Sequence, residues 1–227
     1  MVAASTLVRP MHFDNGHIYH VYNRGNNKQI IFPDKTFYVR FLGKLRNECK
    51  PVCEILAWCL MPNHFHLLLF ANAASCEVVQ QSSHGGVQVL SKTLGKTLSS
   101  YAQYFQRRMN VTGSVFQQKT KAKRISVEEK GKIVVNEKYL ADCFAYIHNN
   151  PVKAGLVNFP ELWPFSSYTD FAQLRSGTLC NKELACQLLG VNADFFHHKP
   201  GIAEIRQSKM EPLNRARSGR CASGPEN

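Results

Sequence analysis

Long apolar runs are missing from this chain. The longest, at residues 67–71, is the size of a strand, whereas a membrane-spanning helix needs roughly 20 apolar residues. No membrane span is therefore expected. The first residues do not pair a basic segment with an apolar stretch, so no signal peptide is expected either. None of the eight cysteines (49, 53, 59, 76, 143, 180, 186 and 221) stands in a CxxC pair. That absence argues against a disulfide scaffold. Cys59 lies in strand-like sequence and Cys143 in helix-like sequence, so we read the cysteines as small buried hydrophobes in a reducing cytoplasm. No internal repeat is present. Acidic residues are scarce, with 16 Asp and Glu against 28 Lys and Arg, a net charge of +12. A surplus of that size points to a polyanionic partner, with nucleic acid first; the plain alternative is an ordinary basic protein.

Hydrophobic residues make up 44% of the chain, enough for a soluble globular core. The pattern along the chain suggests these elements. Residues 17–22 have strand composition and end in the turn cluster Asn23-Arg24-Gly25-Asn26-Asn27. Asp34 is a candidate N-cap for a helix to about residue 50, with Phe37, Phe41, Leu42 and Leu45 on one face. Strands follow at 52–59 and 64–70, then a small polar loop over 71–86. Residues 87–109 form a long helical pattern carrying Leu90, Leu94, Leu98, Tyr101 and Phe105. A further strand is expected to begin at Val115 and Phe116, leading into a basic segment that ends at Arg124. Asn136 can cap a helix to about residue 149, and Pro151 then opens a short turn closed by Gly155. The order β-α-β-β-α-β followed by a helix predicts an α+β fold, a ferredoxin-like antiparallel sheet with packed helices. A second small helical piece is expected at 182–189, and from about Arg206 the composition suggests disorder.

His64-Phe65-His66 is the most informative triplet. Side chains alternate along a strand, so the two histidines share a face, with Cα atoms about 7 Å apart. Two imidazoles so placed can converge on one ion, while Phe65, Leu67 and Leu69 face a core. The alternative is a pair of solvated or hydrogen-bonded histidines, since the bare triplet is a short motif and a metal site needs a third ligand.

Tyr146 and Asn150 are four residues apart and share a face on a continuous helix. A phenol can act as a nucleophile once activated, and an amide oxygen one turn on can serve as a third metal ligand. Each residue also has a structural alternative. Asn150 before Pro151 can be a helix N-cap with Pro at the first helical position, and Tyr146 can be a half-buried core residue.

These residues together resemble a family. Leu60-Met61-Pro62-Asn63-His64-Phe65-His66-Leu67-Leu68 resembles the HUH motif (His, bulky hydrophobe, His) of single-tyrosine transposases. Tyr19-His20-Val21-Tyr22-Asn23-Arg24-Gly25-Asn26 is similar to their first strand and turn. The stretch from Tyr146 through Asn150-Pro151-Val152-Lys153-Ala154-Gly155 resembles the tyrosine helix of the REP-associated tyrosine transposases, and Trp163-Pro164-Phe165-Ser166-Ser167-Tyr168 their closing segment. The resemblance runs over about residues 17–170. It implies a catalytic domain over that span; the sequence outside it reads as an arm at 1–16, a small helical extension at 171–205 and a basic tail at 206–227. It further implies Mg²⁺ or Mn²⁺ held by His64 and His66 with Asn150 as third ligand, and Tyr146 as the nucleophile of a 5′-phosphotyrosine intermediate. The substrate it implies is single-stranded or hairpin DNA, cleaved and rejoined by a monomer or homodimer. The chain departs from the family at Val111-Thr112-Gly113-Ser114-Val115-Phe116, and at Lys119, where arginine is common.

Arg24, Arg107, Arg108, Lys119, Lys121, Lys123 and Arg124 are candidates for the DNA backbone path; the alternative for the basic run is a solvated face. Two other functions compete. One is a non-catalytic nucleic-acid-binding ferredoxin-like module, which would leave the histidine pair idle and lacks the Gly- and aromatic-rich runs of RNA-recognition domains. The other is a metal-dependent hydrolase using water, which needs more acidic ligands than the sequence offers near His64.

Overall fold

The computed structural model describes residues 11–82, 85–129 and 131–192. The sequence elements assigned to the first ten residues and to the basic tail lie outside these residues. A four-stranded antiparallel sheet forms the centre: β1 (Ile18–Arg24), β2 (Glu54–Met61), β3 (His64–Phe70) and β6 (Lys121–Arg124), in the order β2-β3-β1-β6. Helix α1 (Lys35–Lys44) joins β1 to β2, and α3 (Val89–Met109) lies between β3 and β6. This is an α+β fold with the ferredoxin-like arrangement.

Local sequence explains most boundaries. Asp34 caps α1 by accepting from the Thr36 N–H at 2.8 Å. The helix then widens into a π turn at Leu45–Cys49 before the chain reverses into β2. Asn110, in a left-handed conformation, closes α3. Two expectations need correction. The stretch 71–86 is not an irregular loop: it holds α2 (Ala73–Cys76), capped by Asn72, and β4 (Val78–Ser82), which pairs with β5 (Gly85–Gln88) as a hairpin. Val115 and Phe116 do not begin a strand. Phe116 makes a single bridge to Gly25, and the fourth strand is the basic segment itself. The periodic apolar pattern that normally marks a strand is absent there because β6 is a short edge strand, mostly exposed. A small hairpin, β7 (Val127–Glu129) and β8 (Lys132–Val134), follows.

The two faces of the sheet are covered by different helices. On one face Phe65 packs on Phe41 of α1 at 5.2 Å between ring centroids, and Phe41 on Tyr101 of α3 at 5.1 Å. On the other lies α4 (Glu137–Lys153), whose Phe144 and Ile147 are buried. Asn136 caps it, accepting from the Tyr139 N–H at 2.9 Å. The helix does not stop near residue 149 as expected but runs through Pro151 into its last turn. Asn150 is thus an interior helical residue and not the cap of a new turn.

One hydroxyl docks α4 on the sheet. Ser167 Oγ donates to the Trp58 carbonyl at 3.1 Å and accepts from the Trp58 N–H at 2.9 Å. It also lies 2.8 Å from Nε2 of His148, which is fully buried on α4. With its own proton already committed, the hydroxyl accepts from His148, so His148 carries its proton on Nε2. The segment bearing Ser167 runs along the outer edge of β2, where Leu60 N donates to the Phe165 carbonyl at 2.9 Å. Helices α5 (Tyr168–Phe171) and α6 (Lys182–Leu189) complete the described chain. The seven cysteines among the described residues are free, and six of them are buried. No helix among these residues is long and apolar enough to cross a membrane.

The Tyr101 hydroxyl donates to the Ile31 carbonyl at 2.5 Å inside the core. Tyr101→Phe keeps the ring but leaves that buried carbonyl unpaired. It should lower unfolding stability by about 1–2 kcal/mol, read as a shift in the urea midpoint with an unchanged slope.

Candidate active site

The register of β1 against β3 assembles the site. Tyr22 lies opposite His66 and Arg24 opposite His64. Cross-strand partners share a face, so His20, Tyr22, Arg24, His64 and His66 all lie on the α4 side. The imidazoles of His64 and His66 converge, with centroids 5.0 Å apart and planes nearly perpendicular. From α4, the Tyr146 ring packs 5.4 Å from the His66 ring and 6.0 Å from that of His20. The result is an open cleft of about 230 Å³ lined by Tyr22, Asn23, Arg24, His64, His66, Gln117, Lys119, Lys121 and Tyr146.

Both histidines are turned by a neighbour. Nδ1 of His64 lies 2.7 Å from Oδ1 of Asn63, an acceptor, and the ring also faces the Asn150 side chain. His66 uses Nδ1 toward His20, at 2.9 Å. Its other nitrogen, Nε2, is buried and has no partner. Burial pushes the His66 pKa down to about 2, helped by His20 and His64. Burial also lowers His64 to about 4; the Arg24 charge adds to this, and the Asn150 side chain opposes it. His20 falls to about 4 through burial and the Lys123 charge. At neutral pH these rings are therefore uncharged, the form in which imidazole binds a metal.

Tyr146 is 41% exposed, so its hydroxyl is open to a ligand in the cleft. Lys153, two turns further along α4, places its ammonium 5.2 Å from the centre of the Tyr146 ring. Pro151 has no N–H for the helix ladder. Just before it, Asn150 donates from Nδ2 to the Tyr146 carbonyl at 2.8 Å. The amide is thereby held against the tyrosine's own turn, while its oxygen faces His64. Among the described residues no three or more His, Cys, Asp or Glu side chains form a metal-holding group. The donor set of two neutral imidazoles and an amide oxygen is compatible with a divalent ion, and the unpartnered His66 Nε2 is the atom such an ion would satisfy.

The basic candidates divide into groups. Arg24, Lys119 and Lys121 line the cleft. Arg24 Nε is buried without a partner. Asn23 ties the segment carrying the lysines to β1, donating from Nδ2 to the Thr120 hydroxyl at 2.8 Å and to the Gln117 carbonyl at 3.1 Å. Lys123 points along the same face but sits over the Tyr139 ring at 5.1 Å. Arg124 alternates to the opposite face and pairs with Asp14 at 3.2 Å. Arg107 and Arg108 end α3, the helix on the other side of the sheet, and do not line the cleft. Tyr139 does not line it either. No local sequence signal marks His20, Tyr22 or Asn23 as site residues. Alternation along β1 relates His20 to Tyr22, but only pairing with β3 relates them to His66. Nothing in the sequence marks Gln117.

No protein-family model matches the chain, and no curated protein matches it. A solved structure of a REP-associated tyrosine transposase bound to a REP hairpin is similar to it, with a TM-score of 0.49 at 17% identity. The alignment covers 77% of this chain and 89% of that one. The functional reading rests on the cleft.

Gly25 follows Arg24, and its N–H donates to the Asn63 carbonyl at 2.8 Å. A Cβ there would come within 2.2 Å of the Gln29 carbonyl oxygen and 2.9 Å of Ile31. Gly25→Ala forces backbone apart beside both Arg24 and the turn that holds His64. It should cost on the order of 1–3 kcal/mol, measured as a drop in the thermal midpoint.

Proposed function

We propose that this protein cuts and rejoins single-stranded DNA through a covalent tyrosine intermediate, as a hairpin-directed transposase does. One observation carries the reading. An exposed tyrosine, carried on a helix, packs over neutral His66 and shares with the converging His64–His66 pair a cleft whose charged residues are Arg24, Lys119 and Lys121. A polyanion suits that cleft, and a phosphodiester is the polyanion on which a phenol nucleophile has chemistry to do.

In this reading Tyr146 Oη attacks the phosphorus and the P–O3′ bond breaks. The phenol gives up its proton to solvent as it attacks, the 3′-oxygen takes one up from solvent and leaves as a hydroxyl, and the 5′-phosphate stays on the tyrosine. The new phosphodiester is close in energy to the old one, so a second DNA hydroxyl can reverse the step without ATP. Arg24, Lys119 and Lys121 bind the backbone and offset charge on the non-bridging oxygens. His64 and His66, with Asn150 as third ligand, would hold Mg²⁺ or Mn²⁺. When bound, such an ion acts as a Lewis acid on the target phosphate. Asn150 couples that ligand set to Tyr146 through its bond to the tyrosine carbonyl. A non-catalytic module of the RNA-recognition type is the weaker reading, because α4 covers the sheet face that would stack bases and α1 with α3 cover the other.

The direct test uses end-labelled hairpin DNA with Mn²⁺ or Mg²⁺ and a denaturing gel. The wild type should form a covalent protein–DNA adduct, and Tyr146→Phe should abolish it while leaving fold and DNA affinity near normal. Tyr139→Phe should keep it. An adduct that survives in Tyr146→Phe, or no adduct in the wild type across hairpins and metals, would overturn the proposal.

Charge should be equally selective. Replacing Lys119 and Lys121 together by alanine should weaken binding to unrelated single strands alike. It should also flatten the slope of log affinity against log salt by about 1.4, at roughly 0.7 per phosphate contact. Replacing Arg107 and Arg108 should change the slope little. Equal effects of the two pairs would refute the placement of DNA in the cleft.

A further inference from the structure

His20 has no role in the reaction just proposed, yet its buried ring touches the centre of the site. Its direct partner across the sheet is Leu68, so His66 lies on the diagonal. Diagonal neighbours are within reach of aromatic side chains. Here the two rings stack, 5.0 Å between centroids and 29° between planes, with His20 Nε2 2.9 Å from His66 Nδ1. The Tyr22 ring also packs on His20, at 4.8 Å between centroids.

A hydrogen bond between two neutral imidazoles has two solutions, since either ring can donate. They differ at the far nitrogen of His66. If His20 donates, His66 carries its proton on Nε2, where no acceptor meets it. The charged residues lining the cleft are Arg24, Lys119 and Lys121. Arginine and lysine only donate, so an N–H dipole directed among them is repelled. If His66 donates, Nε2 is a lone pair in a cationic cleft, and the field favours it. At His66 the field of the cleft therefore favours the second solution, in which His20 carries its own proton on Nδ1.

We propose that His20 is a positioning residue: it accepts the His66 Nδ1 proton and thereby keeps His66 Nε2 as a lone pair facing the cleft. The metal consequence rests on the reading that His66 is a metal ligand; the hydrogen-bond assignment does not. Partners of this kind fix the tautomer and ring orientation of a ligating histidine and are worth about 10–100-fold in metal affinity when removed.

The test has a metal-free arm and a metal arm. Long-range proton–nitrogen NMR correlations on the apo protein report which imidazole nitrogen carries hydrogen. The wild type should show His66 protonated on Nδ1. His20→Gln retains an acceptor and should keep that tautomer, whereas His20→Leu should lose it. In calorimetric titration with Mn²⁺, His20→Leu should bind about 10–100-fold more weakly, with His20→Gln recovering most of the loss. A wild-type His66 protonated on Nε2 would overturn the proposal. So would a His20→Leu protein with unchanged tautomer and Mn²⁺ affinity. A wild type with Nδ1-protonated His66 that binds no Mn²⁺ would uphold the hydrogen bond and remove the metal reading.

Discussion

The pairing register between β1 and β3 is the constraint on which the site depends. Both strands alternate, so a shift of one residue would send every side chain of one strand to the wrong face. In the observed register Arg24 meets His64 and Tyr22 meets His66. The apolar sets, Val21 with Leu67 and Tyr19 with Leu69, meet on the opposite face. Burial of that second set is what selects the register. Val21, Leu67 and Leu69 are wholly inaccessible to solvent, and exposing them would cost on the order of 1.5–3 kcal/mol each. The polar face is therefore positioned by the energetics of the face behind it.

A fold of this kind with two helices on one side leaves the other side of the sheet open. Here α4 closes it, and in doing so supplies Tyr146. The placement of α4 relies on polar as well as apolar contacts. Phe144 packs at 4.3 Å on His148 and at 5.0 Å on Phe171, while Ser167 joins His148 to the backbone of β2. A hydroxyl that both donates and accepts is suited to this position, because it satisfies a strand carbonyl, a strand N–H and a helix side chain together. Tyr146 thus stands on a support that is buried on both flanks, while its own hydroxyl remains accessible.

Charge in the cleft is asymmetric in a way that suits an anionic ligand. Its cations come from the end of β1, from the start of β6 and from the segment leading into it. The histidines, kept neutral by burial, add no positive charge that would compete for it. Not every cation of that segment is used. Arg124 alternates away and is satisfied by Asp14, whose carboxyl, despite a desolvation effect in the other direction, is held below its ordinary range by Tyr19, His12 and Arg124. The same alternation that gathers Lys121 and Lys123 on the site face removes Arg124 from it.

Much of this was legible in the amino-acid order. The strand carrying His64 and His66, the capped helix with Tyr146 and Asn150 one turn apart, and the excess of positive charge all follow from local rules of periodicity and capping. Those rules act over a few residues, and that is their limit. The helix continued past Pro151 because tertiary packing held its last turn, against the local preference of the residue before a proline. The basic segment became a strand because β1 offered an unpaired edge, although its own side chains lack a strand's apolar pattern. The union of Tyr22, Arg24, His66, Lys119 and Tyr146 in one cleft, and the contact between His20 and His66, span 46 residues or more of chain in places. Only strand pairing and helix docking decide such neighbours, because burial of the apolar face behind them, and not any affinity among the site residues, sets where they meet.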